Sequence, residues 1–305
     1  MSTISTKGRR YVLVTAAYNE DLHIERLIKS VLALTERPIR WVIVSDGSID
    51  RTDEIVQQYV AQCSFIKLIR IDDEHPRNFA AQVSAINTGL AGLKDLDYDF
   101  IGNLDADVSF GPTYFSEVLN TFADDPGLGL AGGSIFEERE SEFRARPLNR
   151  EYSVAQAAQL FRRACFEDLG GEYVPLPYGG ADWYAVVKSR MIGWRVRSIT
   201  ELKVFHYRPS GYSGWLRASI RQGRMDYSLG THPLFEIPRL IRRLGSRPPL
   251  LYAVARLAGF LFSYFGAEKR MVSEEFVRFL RQEEAERLRR FFRKPANIEA
   301  RMASE

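Results

Sequence analysis

Cysteine is scarce in this sequence: its 305 residues include Cys63 and Cys165 and no third cysteine. Two thiols in a chain of this length do not make a disulfide framework, and neither has the spacing of a metal ligand. The first ten residues, MSTISTKGRR, have no apolar core, so we expect no secretory signal. Together these absences predict a protein of a reducing compartment, the cytoplasm.

Two phosphate-binding signatures are missing as well. No G-x-x-x-x-G-K-[ST] loop occurs, and no G-x-G-x-x-G follows the first predicted strand, so ATPases and dinucleotide dehydrogenases lose their main support. Long apolar runs are also lacking. The apolar segment 250–265 has sixteen residues and contains Arg256, whereas a membrane-spanning helix needs about 20 apolar residues.

Neither part of the chain has balanced charge, although the net charge of the whole is only +3. Residues 1–205 carry 23 Lys and Arg against 29 Asp and Glu, and residues 206–305 carry 19 against 10. This asymmetry indicates an acidic, cation-binding front and a basic, anion-facing back, with chance variation of surface charge as the alternative. We expect no nucleic acid partner.

Apolar runs alternate with amphipathic segments over the first 136 residues, which predicts a parallel sheet with helices on both faces. Strands are predicted at 11–16, 41–46, 65–71, 100–107 and 128–136, with helices between them. Residues 150–171 are interpreted as a helix, and a second helix follows the glycines of YGGADW. Two short strands, RVRSI and LKVFHY, come next, and helices alone are predicted beyond His206.

Polar side chains stand where three of these strands end. Glu20 follows the first strand, Asp46 ends the second, and Asp105 and Asp107 end the fourth. Ligands of open parallel sheets bind outside the carboxyl ends of the strands. Adjacent carboxylates there suit a hard divalent cation, Mg²⁺ or Mn²⁺. Because the phosphates of a substrate often complete the coordination shell of such an ion, the pattern predicts a phosphorylated substrate such as a nucleotide.

Four motifs, TAAYNE, VSDGSIDRT, NLDADV and YGGADW, occur in this order between residues 11 and 206. In sequence and spacing they resemble the family-2 glycosyltransferases of the GT-A fold. The resemblance implies an α/β, mostly parallel Rossmann-like sheet flanked by helices, a nucleotide-diphosphate-sugar donor, a divalent metal and inversion at the anomeric carbon. We expect a catalytic domain over residues 1–210 and a basic helical extension over residues 211–305.

The resemblance also implies roles for residues of the donor site. Ala17, Tyr18 and Glu20 would cradle the base and ribose of the nucleotide. Asp46 would accept a hydrogen bond from the base, typically uracil. Asp105 would lie near the ribose or the metal.

Further roles concern the metal, the base and the diphosphate. Asp107 would bind the metal, and His206 occupies the position of a further metal contact in some relatives. Asp182 matches the catalytic base, and Arg221 and Arg224 lie where relatives hold the diphosphate. The alternatives are that Asp182 caps a helix beginning at Trp183, that His206 is a core histidine, and that the arginines form a solvated face.

The chain departs from the family pattern in ways that bear on function. Ala181 replaces the glutamate that commonly precedes the base. The segment RQGRM lacks the tryptophan of processive synthases, so we expect transfer of one sugar per encounter. The rival functions are a sugar nucleotidyltransferase and a non-catalytic nucleotide-sugar-binding or scaffold protein.

The basic, aromatic C-terminal extension has two interpretations of its own. It suits contact with an anionic membrane on the cytoplasmic face, with a lipid-linked acceptor or a cell-surface polysaccharide precursor. The alternative is packing against the catalytic domain or a homo-oligomer interface, which the glutamates at 274, 275, 283, 284 and 286 favour.

Overall fold

A computed structural model of the protein describes residues 9–72, 78–139, 142–146, 152–208, 214–236 and 249–293. The chain divides into two compact units, an N-terminal unit (Met1–Tyr212) and a C-terminal unit (Ser213–Glu305). The predicted boundary at residue 210 lies outside the described residues.

The N-terminal unit is built on one sheet. Its strands are β1 (Tyr11–Ala17), β2 (Arg40–Asp46), β3 (Ile66–Ile71), β4 (Phe100–Leu104), β5 (Val108–Phe110), β6 (Leu128–Arg139), β7 (Glu142–Ala145), β8 (Ala158–Arg162) and β9 (Arg195–His206). Their order is β3-β2-β1-β4-β8-β6-β9-β5, and β7 pairs with β6. Strands β3, β2, β1 and β4 run parallel, so their carboxyl ends meet at one edge.

Helices cover both faces of this sheet. They are α1 (Ile24–Leu32), α2 (Thr52–Val60), α3 (Phe79–Ala91), α4 (Tyr114–Asp124), α5 (Arg163–Asp168) and α6 (Ala181–Met191). One core packs Leu13 and Trp41 against α1 and α4, and the other packs Val12 and Val44 against α3 and α6. Successive strand residues thus point to opposite cores, which explains the continuous apolar runs. The predicted α/β fold class is confirmed.

The prediction of one helix over residues 150–171 is wrong. Ala158–Arg162 forms β8, an almost fully buried strand antiparallel to β4, and the helix α5 begins only at Arg163. A short apolar run fits a buried strand and a helix equally, and its place between β4 and β6 decides for the strand. Likewise RVRSI and LKVFHY are one strand, β9, with a register shift opposite Gly133 and Ser134.

The C-terminal unit is helical where it is described. It contains α7 (Trp215–Ser228), α8 (Pro249–Phe265) and α9 (Glu274–Arg293). Helices α7 and α8 approach closely at two glycines: a Cβ on Gly223 would lie 1.9 Å from the Arg256 carbonyl oxygen, and one on Gly259 would lie 2.0 Å from that of Ile220. In the described part of the chain, no helix has both the length and the apolar character needed to cross a bilayer.

Candidate active site

The loops that follow β1 and β2 are tied together at the carboxyl edge. The side-chain oxygen of Asn19 accepts a hydrogen bond from the Ile49 amide at 2.9 Å, and the Asn19 amide donates to Ser48 Oγ at 3.2 Å. The amide of Glu20 donates to Thr52 Oγ1 at 2.7 Å. Asn19 has φ +53, a left-handed conformation that asparagine tolerates better than most residues. Side-chain hydrogen bonds between the two loops therefore fix the position of the first one.

The residues predicted for the nucleotide lie along this edge. Ala17 is the last residue of β1 and is buried, and Asp46 is the last residue of β2 and is 5% exposed. Tyr18 follows β1 with 40% of its surface exposed. The edge therefore offers an exposed ring on one loop and a buried carboxyl at the end of the next strand.

Asp105 and Asp107 lie where β4 turns into β5, and strand pairing brings His206 to them. Val108 of β5 is the partner of His206 in β9, so His206 lies one residue from Asp107 across the ladder. The distance from His206 Nε2 to Asp107 Oδ1 is 3.1 Å. One ligand atom each from Asp105, Asp107 and His206 lies within 4.8 Å of the others. Among the described residues, this is the one such group of three.

Charge is concentrated in this cluster. Burial, and then the charge of Asp107, raise the pKa of Asp105 to about 6. Burial, and then Asp107, also raise the pKa of Glu20 to about 7, although Arg208 acts in the opposite direction. Burial would raise the pKa of Asp107 too, but its hydrogen bond with His206 and the charges of His206 and Arg208 hold it below its ordinary value.

Arg208 is a site residue that the motifs did not identify. Its guanidinium is paired with the Glu20 carboxylate, and its Nε lies 3.6 Å from Asp107 Oδ2. It lies two residues beyond His206, the last residue of β9, and side chains two apart along a strand direction share a face. That periodicity, applied to the end of β9, is the signal that could have found Arg208.

The donor atoms of the cluster fit a divalent cation. Carboxylate oxygens are the ligands that Mg²⁺ and Mn²⁺ prefer, and imidazole nitrogen is a common additional ligand. Burial is the first cause of the raised pKa of Asp105 and the charge of Asp107 the second, and a bound cation would favour the ionised form of both carboxyls. Asp105, Asp107 and His206 are therefore the residues that could hold the ion.

Asp182 stands in the first turn of α6, beside this cluster. Gly179 and Gly180, both with positive φ, lead into the helix, which begins at Ala181. The carboxylate accepts a hydrogen bond from the Trp183 amide at 2.8 Å. The negative charge of Asp182 contributes, after burial and Asp107, to the raised pKa of Asp105, so the two carboxyl groups interact electrostatically. Gly180 holds the cap position and the helix begins at Ala181, so Asp182 is not the N-cap residue, but its carboxylate does accept a hydrogen bond from an amide of the first turn. Its role as catalytic base stays a prediction.

Arg221 and Arg224 lie on α7 in the C-terminal unit. The guanidinium of Arg224 is paired with Glu268 and lies 5.3 Å from the centre of the Phe262 ring. Burial lowers the pKa of Arg221. The role of both arginines at the diphosphate stays a prediction.

Solved structures with the same fold define the class. The chain aligns with TarS 1-349 of Staphylococcus aureus in complex with UDP-GlcNAc at a TM-score of 0.53 and 14% identity, covering 89% of this chain and 78% of that one. The mannosyltransferase PcManGT of Pyrobaculum calidifontis, in complex with GDP-Man and Mn²⁺, aligns at 0.55 and 17% identity, covering 94% and 81%. The fold is that of the GT-A glycosyltransferases.

Sequence comparison gives the family. The model of glycosyl transferase family 2 matches residues 12–173, more than half of the chain, and the protein belongs to this family. Poly-beta-1,6-N-acetyl-D-glucosamine synthase of S. aureus (strain COL) is 30% identical over 138 residues, which are 45% of this chain. The synthase of that name in S. epidermidis is 25% identical over 173 residues, or 51% of this chain. The chain spans only 31% and 40% of these two relatives.

Proposed function

We propose that the protein is an inverting glycosyltransferase that moves one sugar from a UDP-linked donor to a hydroxyl acceptor. The observation that carries the proposal is the cluster of Asp105, Asp107 and His206 at the carboxyl edge of the sheet, in which Asp107 is buried and the other two are half-buried. Arg208, which is paired with Glu20 and lies 3.6 Å from Asp107, links the cluster to the loop after β1. Three separate strand ends supply these groups, and the site of a parallel sheet lies at such an edge.

The donor nucleotide would lie across the ends of β1 and β2. The loop of Ala17, Tyr18 and Glu20 would hold the base and ribose, and Asp46 would accept a hydrogen bond from the base. Asp105 and Asp107 would face the ribose and the diphosphate. A bound divalent cation would neutralise charge on the departing diphosphate. Arg208 adds a fixed positive charge on the same side, where negative charge develops in the transition state.

Asp182 would act as general base. It would take the proton of the acceptor hydroxyl while the acceptor oxygen bonds to the anomeric carbon and the bond to the diphosphate breaks. One displacement inverts the configuration at that carbon. The hydrogen bond from the Trp183 amide fixes the orientation of the carboxylate before the acceptor binds.

The proposal also includes the chemical class of the acceptor. The synthases to which the chain is similar are named for a polysaccharide of N-acetylglucosamine. A lipid-linked or cell-surface polysaccharide precursor, glycosylated on the cytoplasmic side, is consistent with that similarity. The missing tryptophan in RQGRM supports a single transfer rather than polymerisation.

The test is release of UDP from a panel of UDP-sugars, and of GDP from GDP-mannose, by the full chain with Mn²⁺ or Mg²⁺ and hydroxyl acceptors. The proposal expects release that depends on the ion, and the anomeric configuration of the product reports inversion. Donor binding without any release would instead favour the scaffold alternative. Pyrophosphate-dependent conversion of the UDP-sugar to UTP and the sugar 1-phosphate would favour the nucleotidyltransferase.

A further inference from the structure

Helix α8 turns an entirely apolar face to the outside. The exposed residues recur at spacings of three and four along the helix, so they form one stripe. Among the residues of α8 whose burial is described, they are Leu251, Val254, Ala258, Leu261, Phe262 and Phe265, and the exposed ring of Tyr264 lies beside the stripe. Phe265 is 79% exposed, Phe262 67% and Val254 61%. No charged side chain of α8 interrupts this stripe, which we call the α8 face, and Arg224 of α7 borders it with its guanidinium 5.3 Å from the Phe262 ring.

On the opposite side of the same helix, the charged side chain is buried. The Arg256 side chain is 4% exposed and is paired with Asp226 and Glu236, whose side chains are 6% and 2% exposed. Ser263 is fully buried on that side as well. Arg256, which interrupts the apolar segment in the sequence, therefore leaves the α8 face unbroken.

This arrangement is the reverse of an ordinary surface helix. Such a helix buries its apolar stripe and presents charged residues to water. Scattered exposed apolar residues need no explanation, but a contiguous exposed apolar stripe is typical of a site of contact with a protein or a membrane. The α8 face therefore requires an apolar partner.

Charge and side-chain type identify the partner. Residues 213–305 carry 18 Lys and Arg against 10 Asp and Glu. Lys269 is exposed four residues beyond Phe265, and the ring of Tyr264, 47% exposed, stands at that end of the helix. Tyrosine and lysine are typical anchors at the boundary of lipid and water. A second copy would bring two basic units together, whereas an anionic bilayer complements the charge.

We propose that the α8 face docks on an anionic membrane, with α8 lying in the plane of the headgroup boundary and its stripe inserted among the acyl chains. Burial of the apolar side chains supplies one part of the affinity, and attraction of the basic unit to anionic lipid supplies the other. The docking does not depend on the proposed transfer reaction, so its test needs no sugar donor.

The test is flotation of the full chain with vesicles of phosphatidylcholine and phosphatidylglycerol at a 3:2 ratio, with pure phosphatidylcholine vesicles alongside. The variants are Phe265→Glu and Val254→Glu, one at each end of the α8 face. Leu22→Glu is the matched control, because Leu22 of the N-terminal unit is 80% exposed and receives the same change. Circular dichroism and thermal melting verify that all three variants are folded.

We expect the wild type and Leu22→Glu to bind the anionic vesicles and to bind the neutral ones more weakly. Each α8 variant should bind at least about tenfold more weakly, because a carboxylate enters the apolar boundary. Equal loss in Leu22→Glu would overturn the proposal. Failure of the wild type to bind anionic vesicles at low salt would also overturn it. The same holds if that wild type forms dimers, as measured by light scattering, and Phe265→Glu dissociates them.

Discussion

Strand β4 is flanked by the same motif at both ends. Asp97 and Asp99 precede it, and Asp105 and Asp107 follow it. Each pair also has an arginine, since Arg10 contacts Asp97 and Arg208 contacts Asp107.

The surroundings of the two pairs differ. The Asp97 side chain is 88% exposed, whereas that of Asp107 is 9% exposed and shares its site with Glu20 and His206. The D-x-D motif at the amino edge thus combines an exposed Asp97 with a half-buried Asp99 that accepts a hydrogen bond from the Arg10 amide. The same motif at the carboxyl edge lies where the ends of the parallel strands converge. Position relative to the strand, rather than the motif itself, decides what the carboxylates can do.

The largest expected effect is on turnover, and it contrasts the two ends directly. Asp107→Asn should lower the rate of UDP release by at least about 10³-fold, because a metal ion at the leaving group is worth several kcal/mol. Asp97→Asn, the same change at the amino edge, should leave the rate near the wild-type value. Steady-state kinetics with and without EDTA measure both. Full activity in excess chelator would contradict the metal role.

The base makes a second contrast. Asp182→Asn keeps the size of the side chain but removes its basicity, so turnover should fall by about 10² to 10⁴ with donor affinity little changed. Glu167→Gln is the control, since Glu167 is paired with Arg163, which packs on Tyr98 just before β4. Single-turnover rates and UDP-sugar titrations separate the two quantities. Near-normal turnover in Asp182→Asn would assign the base to another carboxylate.

A smaller effect concerns stability against pH in the metal-free protein. The pKa of Asp105 rises from 3.8 to about 6, mainly by burial, so its ionisation opposes folding. The stability that this group contributes is complete below about pH 4 and is lost as the pH rises through 6. Asp105→Asn should therefore gain up to about 3 kcal/mol over the wild type between pH 4 and pH 7.

Urea unfolding of the wild type and of Asp105→Asn over this pH range measures the difference. A difference that stays constant from pH 4 to pH 7 would contradict the burial of the Asp105 carboxyl.

The smallest effect is expected at the two arginines. Arg208→Gln should destabilise the metal-free protein at pH 8 by about 1–2 kcal/mol, because Glu20 and Asp107 are buried and lose a compensating charge. Arg10→Gln should cost less than about 1 kcal/mol, since its partner Asp97 is exposed. Urea unfolding measures both. Equal costs would remove the distinction between the two ends.

Much of this edge was predictable from the sequence. The strands β1, β2 and β4 are continuous apolar runs followed by polar residues, and this local pattern alone places Glu20, Asp46 and Asp105 at one edge. The glycines ahead of Asp182 likewise predict the loop that leads into α6. Local periodicity is enough for such elements because each is set by its own few residues.

Other features depend on contacts that are distant in sequence. The helix predicted at β8 is wrong because only the place of this segment between β4 and β6 makes it a strand. Arg208 meets Glu20 across 188 residues, through the pairing of β9 with β5, which the motifs do not encode. The inward direction of Arg256 likewise depends on Asp226 and Glu236 of the folded unit.

The central claim is that the carboxyl end of β4 binds a divalent cation together with a nucleoside diphosphate, and that the amino end does not. Thermal melting with Mn²⁺ and UDP, separately and together, tests it most directly, since a ligand of the folded state raises the melting temperature. The account predicts a joint increase in the wild type and in Asp97→Asn, and none in Asp107→Asn. A full increase in Asp107→Asn, or its loss in Asp97→Asn, would contradict it.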